Sequence, residues 1–185
     1  MKPLALLTTG MFLAALGVSA HAQQKPSQAD VNAIKHLADA NMTEVQAGKV
    51  ALEKAQSAEV KQFGQHMVDD HGKLLEDVQK LAQDKGVDLP DQPSAKHQAA
   101  IKKLQGTPEA KFDQAYMQEM VKDHRADVRE LQKLASNAKD PDVKAAAREA
   151  LPKVRDHLKM AQETVGKTGG SASRGSSASR GKAKD

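Results

Sequence analysis

Apolar residues recur at three- and four-residue intervals through four long stretches of this chain, and no stretch alternates with the two-residue period of a strand. The first stretch, residues 29–55, carries Ile34, Leu37, Ala38, Asn41, Val45, Gly48 and Leu52 on one helical face. The second, residues 58–85, carries Val60, Phe63, Met67, His71, Leu74, Val78 and Leu81. The third shows Phe112, Tyr116, Met120, His124, Val128, Leu131 and Ala135, and the fourth Val143, Ala147, Ala150, Val154, His157, Ala161 and Val165. The punctuation agrees. Ser27 with Asp30 three residues on resembles a capping box, Ser57 is an N-cap, and Gly86 is a C-terminal stop. Thr107-Pro108 and Asp140-Pro141 read as N-cap and first helical residue of the third and fourth helices. Pro152 falls inside the last helix, where it removes a backbone bond and predicts a kink.

Four such helices, each about 40 Å long at ~1.5 Å per residue, predict an all-α four-helix bundle. The linker from Gly86 to Gly106 holds Pro90, Pro93 and a short extra helix over residues 94–105. Its reach of about 45 Å permits a long crossover along the bundle, while a simple up-down-up-down order also fits.

The two ends read differently from the middle. Residues 1–22 have a secretory leader's pattern: Lys2, an apolar run, and the small-x-small site Ala20-His21-Ala22. That predicts export across the inner membrane to the periplasm, with residues 23–28 as a linker and 29–166 as the bundle. Residues 167–185 are rich in Gly, Ser, Ala, Lys and Arg, repeat Ser-Ala-Ser-Arg-Gly, and read as a disordered tail. The formal net charge of +4 comes largely from that tail, and the bundle itself is close to neutral. Specific nucleic-acid recognition is therefore not expected. The tail is a solubilising terminus, or else a weak contact with an anionic envelope surface.

Residues 65–82 (QHMVDDHGKLLEDVQKLA) align with residues 118–135 (QEMVKDHRADVRELQKLA), matching at nine of eighteen positions. The shared Met-Val-x-Asp-His places Met67 before His71 and Met120 before His124 on the same face. The second and third long helices are thus versions of one unit.

With Glu44-Val45 and Gly48, Val60-Lys61-x-Phe63, Met67-Val68-x-Asp70-His71, Leu89-Pro90, Phe112-Asp113-x-x-Tyr116, Met120-Val121-x-Asp123-His124, Leu151-Pro152 and His157-Leu158, the chain resembles a family of exported bacterial proteins. It is the domain of unknown function numbered forty-one forty-two, grouped with the ferritin-like bundles. The resemblance spans residues 29–165 and implies a ferritin-like fold and export, with no activity attached.

Any chemistry falls on few residues. Without cysteine there is no thiolate site, so a metal would need His, Asp, Glu or Met. His71, His124 and His157 each sit on an apolar stripe near a helix midpoint, and Glu44 flanks the first stripe at a similar height. Three imidazoles and a carboxylate converging there would suit a transition metal such as iron, zinc or copper. Met67, Met120 and Met160 lie three or four residues from these histidines and would suit copper(I). The competing reading is a structural layer in which neutral histidines bond to Glu44, Asn41 or carbonyls, with the methionines as core filler.

Di-iron chemistry is unsupported, because the chain lacks Glu-x-x-His and because Asp70 and Asp123 turn about 100° away from their neighbouring histidines. His36 and His97 read as surface residues. No nucleophile-base pair or phosphate loop is present, so no enzyme is expected. Two function classes remain: a non-catalytic exported protein with an envelope or stress-associated role, and a metal-binding protein.

Overall fold

The computed structural model describes residues 25–177, with side chains through residue 167. The expected leader, residues 1–22, and the last part of the expected tail, residues 178–185, lie outside the described residues. Within them are five helices and no strand: α1 (Gln28–Lys54), α2 (Ala58–Lys85), α3 (Ala95–Gln105), α4 (Glu109–Asn137) and α5 (Pro141–Ser177). None is long and apolar enough to cross a membrane.

Local chemistry sets the helix ends. The Ser27 hydroxyl oxygen accepts from the Asp30 N–H and its O–H donates to Asp30 Oδ2 at 2.6 Å. Ser57 accepts from the Val60 N–H, and Gly86 closes α2 at φ 64°, a left-handed conformation that costs glycine nothing. At α4 the cap is one residue later than the sequence suggests. Pro108 is the N-cap, and the Thr107 hydroxyl instead donates to the Lys103 carbonyl at 2.9 Å, satisfying an open acceptor at the end of α3. At the C-terminus, α5 runs through Pro152 and continues to Ser177, so residues 167–177 are helical where the composition predicts a disordered tail. No proline follows Pro152 to stop the helix.

Short turns make two antiparallel hairpins, α1–α2 and α4–α5. Asp113, near the start of α4, accepts the N–H groups of Gln56 and Ser57 in the α1–α2 turn at 3.0 and 2.8 Å. At the other end Lys85, the last residue of α2, pairs with Asp140 and Asp142 at 2.7 and 2.6 Å. There too, the Lys139 N–H donates to Asp30 at 3.0 Å. Hence α2 and α4 run in the same direction, and the linker must return along the molecule. It does so on α1: the Ser94 N–H donates to Asp39 at one end of α3, and Lys54 Nζ donates to the Gln105 carbonyl at the other. Of the two connections the linker length allows, the long crossover is the one adopted.

Helices α1 and α2 meet almost backbone to backbone, since a Cβ on Gly48 would lie 2.7 Å from the Gly64 carbonyl oxygen. Packing then forms two separate apolar clusters. One gathers Val60, Phe63, Met67, Phe112, Tyr116 and Met120 toward the α1–α2 turn. The other gathers Ile34, Leu37, Val78, Leu131, Val143 and Val154 toward the α4–α5 turn.

The Lys85–Asp140 pair is buried, with side chains 5% and 6% exposed. Hydrogen bonds from Lys85 and the α5 amides hold the Asp140 carboxyl below its ordinary 3.8 against the opposing effect of burial. Bonds to both aspartates likewise raise Lys85 above 10.5, again against burial. A depressed acid stabilises above its unfolded value and loses that contribution as pH falls through the folded one. A raised lysine stabilises below its unfolded value and loses its contribution as pH rises through the folded one. The pair therefore stabilises fully between those two ordinary values. Asp140→Asn should cost about 2 kcal/mol at pH 7, by urea denaturation, and the difference from wild type should shrink as pH falls below the ordinary carboxylate range.

Candidate metal centre

Between the two apolar clusters lies a polar layer. On α2, His71 follows Met67 of one cluster and precedes Val78 of the other; His124 on α4 stands likewise between Met120 and Leu131, and His157 on α5 between Val154 and Ala161. The three side chains are 3%, 0% and 1% exposed. Their ring centroids are 5.1–5.6 Å apart, and one ligand atom from each falls within 4.8 Å of the others. The three histidines that share stripe position and height in the sequence are thus one cluster.

Each ring is fixed on one side. His71 Nδ1 lies 2.8 Å from Asn41 Oδ1; because the Asn41 amide N–H donates to the Leu37 carbonyl, the oxygen faces His71 and accepts from it. His124 Nδ1 donates to the Met120 carbonyl at 3.0 Å. His157 Nε2 donates to Asp70 Oδ2 at 2.8 Å, and Asp70 is held by Lys153 at 2.7 Å. All three acceptors require N–H at those nitrogens. The nitrogens left as lone pairs in neutral rings are Nε2 of His71, Nε2 of His124 and Nδ1 of His157, and each is buried without a hydrogen-bond partner.

The surroundings keep these rings neutral. Burial, reinforced by the neighbouring His124 and His157, pushes His71 well below its ordinary value. Burial with His157 takes His124 down to about 3. Burial also lowers His157, against the opposing charge of Asp70.

Glu44, expected beside the α1 stripe at the level of the histidines, is turned inward, 4% exposed, while Val45 of the stripe is only half-buried. The buried row runs Asn41, Glu44, Ala47, Gly48, Ala51, because the close approach at Gly48 sets the rotation of α1. Glu44 Oε1 is 3.9 Å from His124 Nδ1, and Oε2 is buried without a partner. Burial first, then Asp127, Asp123 and Glu119, pushes the Glu44 carboxyl well above its usual range. With Glu44 and His124, Asp127 forms a second group whose ligand atoms lie within 4.8 Å. Burial and Asp123 raise Asp127 to about 7. Met67 and Met120 are buried in the apolar cluster on the α1–α2-turn side, and Met160 is partly buried against it. These methionines pack with Phe63 and Tyr116, whose rings meet edge to face at 6.1 Å.

Sequence reasoning missed three participants. Asp70 faces the neighbouring helix, as its 100° offset implies, but there it orients His157. Lys153 is one turn before His157, and Asp127 is one turn after His124; helical spacing was their only signal. His97, read as a surface residue, is half-buried with its Nδ1 2.9 Å from Asp39 Oδ2, whereas His36 is exposed as expected.

The chain belongs to the family described as domain of unknown function (DUF4142), which matches residues 16–164. No curated protein matches it. Among solved structures it is similar to the crystal structure of a DUF305 fragment from Deinococcus radiodurans, with a TM-score of 0.69 and 14% identity, covering 78% of this chain and 99% of that one. It is also similar to CopM in the Cu(I)-bound form, with a TM-score of 0.61 and 15% identity, covering 72% of this chain and 93% of that one.

Proposed function

We propose that this is a non-catalytic metal-binding protein whose three-histidine layer holds one transition-metal ion, copper(I) foremost. The observation that carries the reading is the set of three buried ring nitrogens without partners, each on an imidazole fixed from behind by an acceptor. A purely structural polar layer satisfies its members, because a buried unpaired nitrogen costs about 1–3 kcal/mol. Second-layer acceptors that set tautomer and orientation are what ligating histidines need. Three neutral donors in apolar surroundings suit a singly charged, soft ion better than a dication. The fold shared with CopM in its Cu(I)-bound form supports the same choice. Zinc is the second reading, favoured by the neighbouring group of Glu44, His124 and Asp127, whose carboxylates would supply the charge that a dication needs. The methionines are read as packing. Around the site the two hairpins, joined by the long crossover, are read as a ferritin-like four-helix bundle. The leader pattern of residues 1–22 supports a periplasmic location.

Anaerobic titration of the purified protein against a chromophoric copper(I) chelator should show one ion held per chain. Protein that takes up neither copper(I) nor zinc(II) nor iron(II) refutes the reading. Asp70→Ala should weaken copper(I) binding roughly 10- to 100-fold by releasing the His157 ring, and Asp70→Asn, which keeps an acceptor, should restore much of it. Equal affinity in all three proteins would show that Asp70 does not position a ligand.

A further inference from the structure

A cavity of about 70 Å³ lies between the α1–α2 and α4–α5 hairpins and is lined by residues of all four long helices. His71 and Asn41 are part of its wall, so the cavity reaches one of the three clustered histidines. Its wall is otherwise mainly apolar, with Leu37, Leu74, Val78 and Val154, yet four carboxylates also line it: Asp77, Glu130 and Glu149 from three different helices, and Asp127. Asp77 and Glu149 are exposed, Glu130 and Asp127 half-buried, and His71 fully buried. The acids therefore grade from solvent toward a buried imidazole whose Nε2 has no partner. Lys73 and Lys133 approach Asp77 and Glu130 only at 3.5 Å and in solvent, where such pairs neutralise little.

We infer that this cavity is the port through which a metal cation enters the three-histidine centre, with Asp77, Glu130 and Glu149 gathering the ion at the mouth and Asp127 receiving it inside. The inference rests on the metal-binding reading above. Burial sets the order of events: Asp77 and Glu149 are exposed, Glu130 and Asp127 half-buried and His71 buried, so an entering ion meets carboxylate oxygens before it meets the imidazole. Clefts lined by one sign of charge raise the local concentration of the opposite ion and speed its capture. Such charges act on the rate of entry, because none of the three mouth carboxylates belongs to the histidine cluster.

The test separates rate from affinity. Silver(I), a redox-stable monovalent soft cation, is mixed as its nitrate with the protein at low salt. The reaction is chased with excess chelator at timed intervals, and bound silver is measured by elemental analysis. The triple variant Asp77→Asn, Glu130→Gln, Glu149→Gln should load roughly tenfold more slowly than wild type, the gap should close at high ionic strength, and equilibrium affinity should be unchanged. The control Glu53→Gln, Glu59→Gln, Glu163→Gln, with the same charge removed elsewhere, should load at the wild-type rate. Equal rates for the two variants overturn the port while leaving the metal centre standing. A wild type that binds no metal overturns both, and a loss of affinity in the triple variant shows that the acids belong to the site and not to its entrance.

Discussion

Replacing His124 with alanine is expected to abolish stoichiometric copper(I) binding, lowering affinity at least about 100-fold, equivalent to about 2.7 kcal/mol. His124 is the central case, being fully buried and in ring contact with both other histidines. The effect should also appear as lost linkage. A ligand at 100 times its Kd stabilises the native state by about 2.7 kcal/mol, which for a chain of this size raises Tm by roughly 5–10 °C. Wild type should show that rise with copper(I), and His124→Ala should show none. His71→Ala should behave in the same way. A structural layer would give a different pattern: the variants would be destabilised, but added metal would leave wild type and variants equally unmoved. Differential scanning calorimetry with and without copper(I) reads both quantities.

The second large effect lies where α1 meets α2. Gly48→Ala should destabilise by about 2–3 kcal/mol although alanine is the better helix former by ~1 kcal/mol, because its Cβ would lie 2.7 Å from the Gly64 carbonyl oxygen and 2.9 Å from Met67 Cβ. Backbone cannot move aside as a flexible side chain can. The two helices must separate, and Glu44 and Asn41, on the same face of α1, would shift away from His124 and His71. Gly72→Ala is the matched control. No atom lies within 4 Å of its Cβ, so it should stabilise by about 1 kcal/mol. Urea denaturation of both variants reads opposite signs from one chemical change, and a mild Gly48→Ala would mean that the helices are not held in backbone contact.

Helical periodicity made much of this legible. The stripes located the four long helices to within a residue or two at most of their ends, and the shared stripe position of His71, His124 and His157 was enough to expect them at one level. The rest depended on partners from other helices. No spacing within α2 or α5 shows that Asp70 reaches across to His157, because the bond depends on how the two helices face each other. On α1 the stripe was right for Ile34, Leu37, Ala38, Asn41 and Gly48, but hydropathy favours Val45 inside with Glu44 only at the edge, whereas Glu44 is buried and Val45 half-buried. Linker length left two connections open, and the ties of Asp113 to the α1–α2 turn and of Lys85 to Asp140 decide between them. The extension of α5 past residue 166 was hidden by composition, since a Gly/Ser/Ala segment lacks the apolar stripe by which the other helices were recognised.

Copper(I) is diamagnetic, so the identity of its ligands can be read atom by atom from long-range proton–nitrogen correlation spectra of the histidine rings, recorded with and without one equivalent of the ion. Binding should move the signals of Nε2 of His71, Nε2 of His124 and Nδ1 of His157, while their opposite nitrogens keep their protons on Asn41, the Met120 carbonyl and Asp70. Unchanged ring signals, or changes confined to His36, His66, His97 or the methionine methyls, would contradict the account.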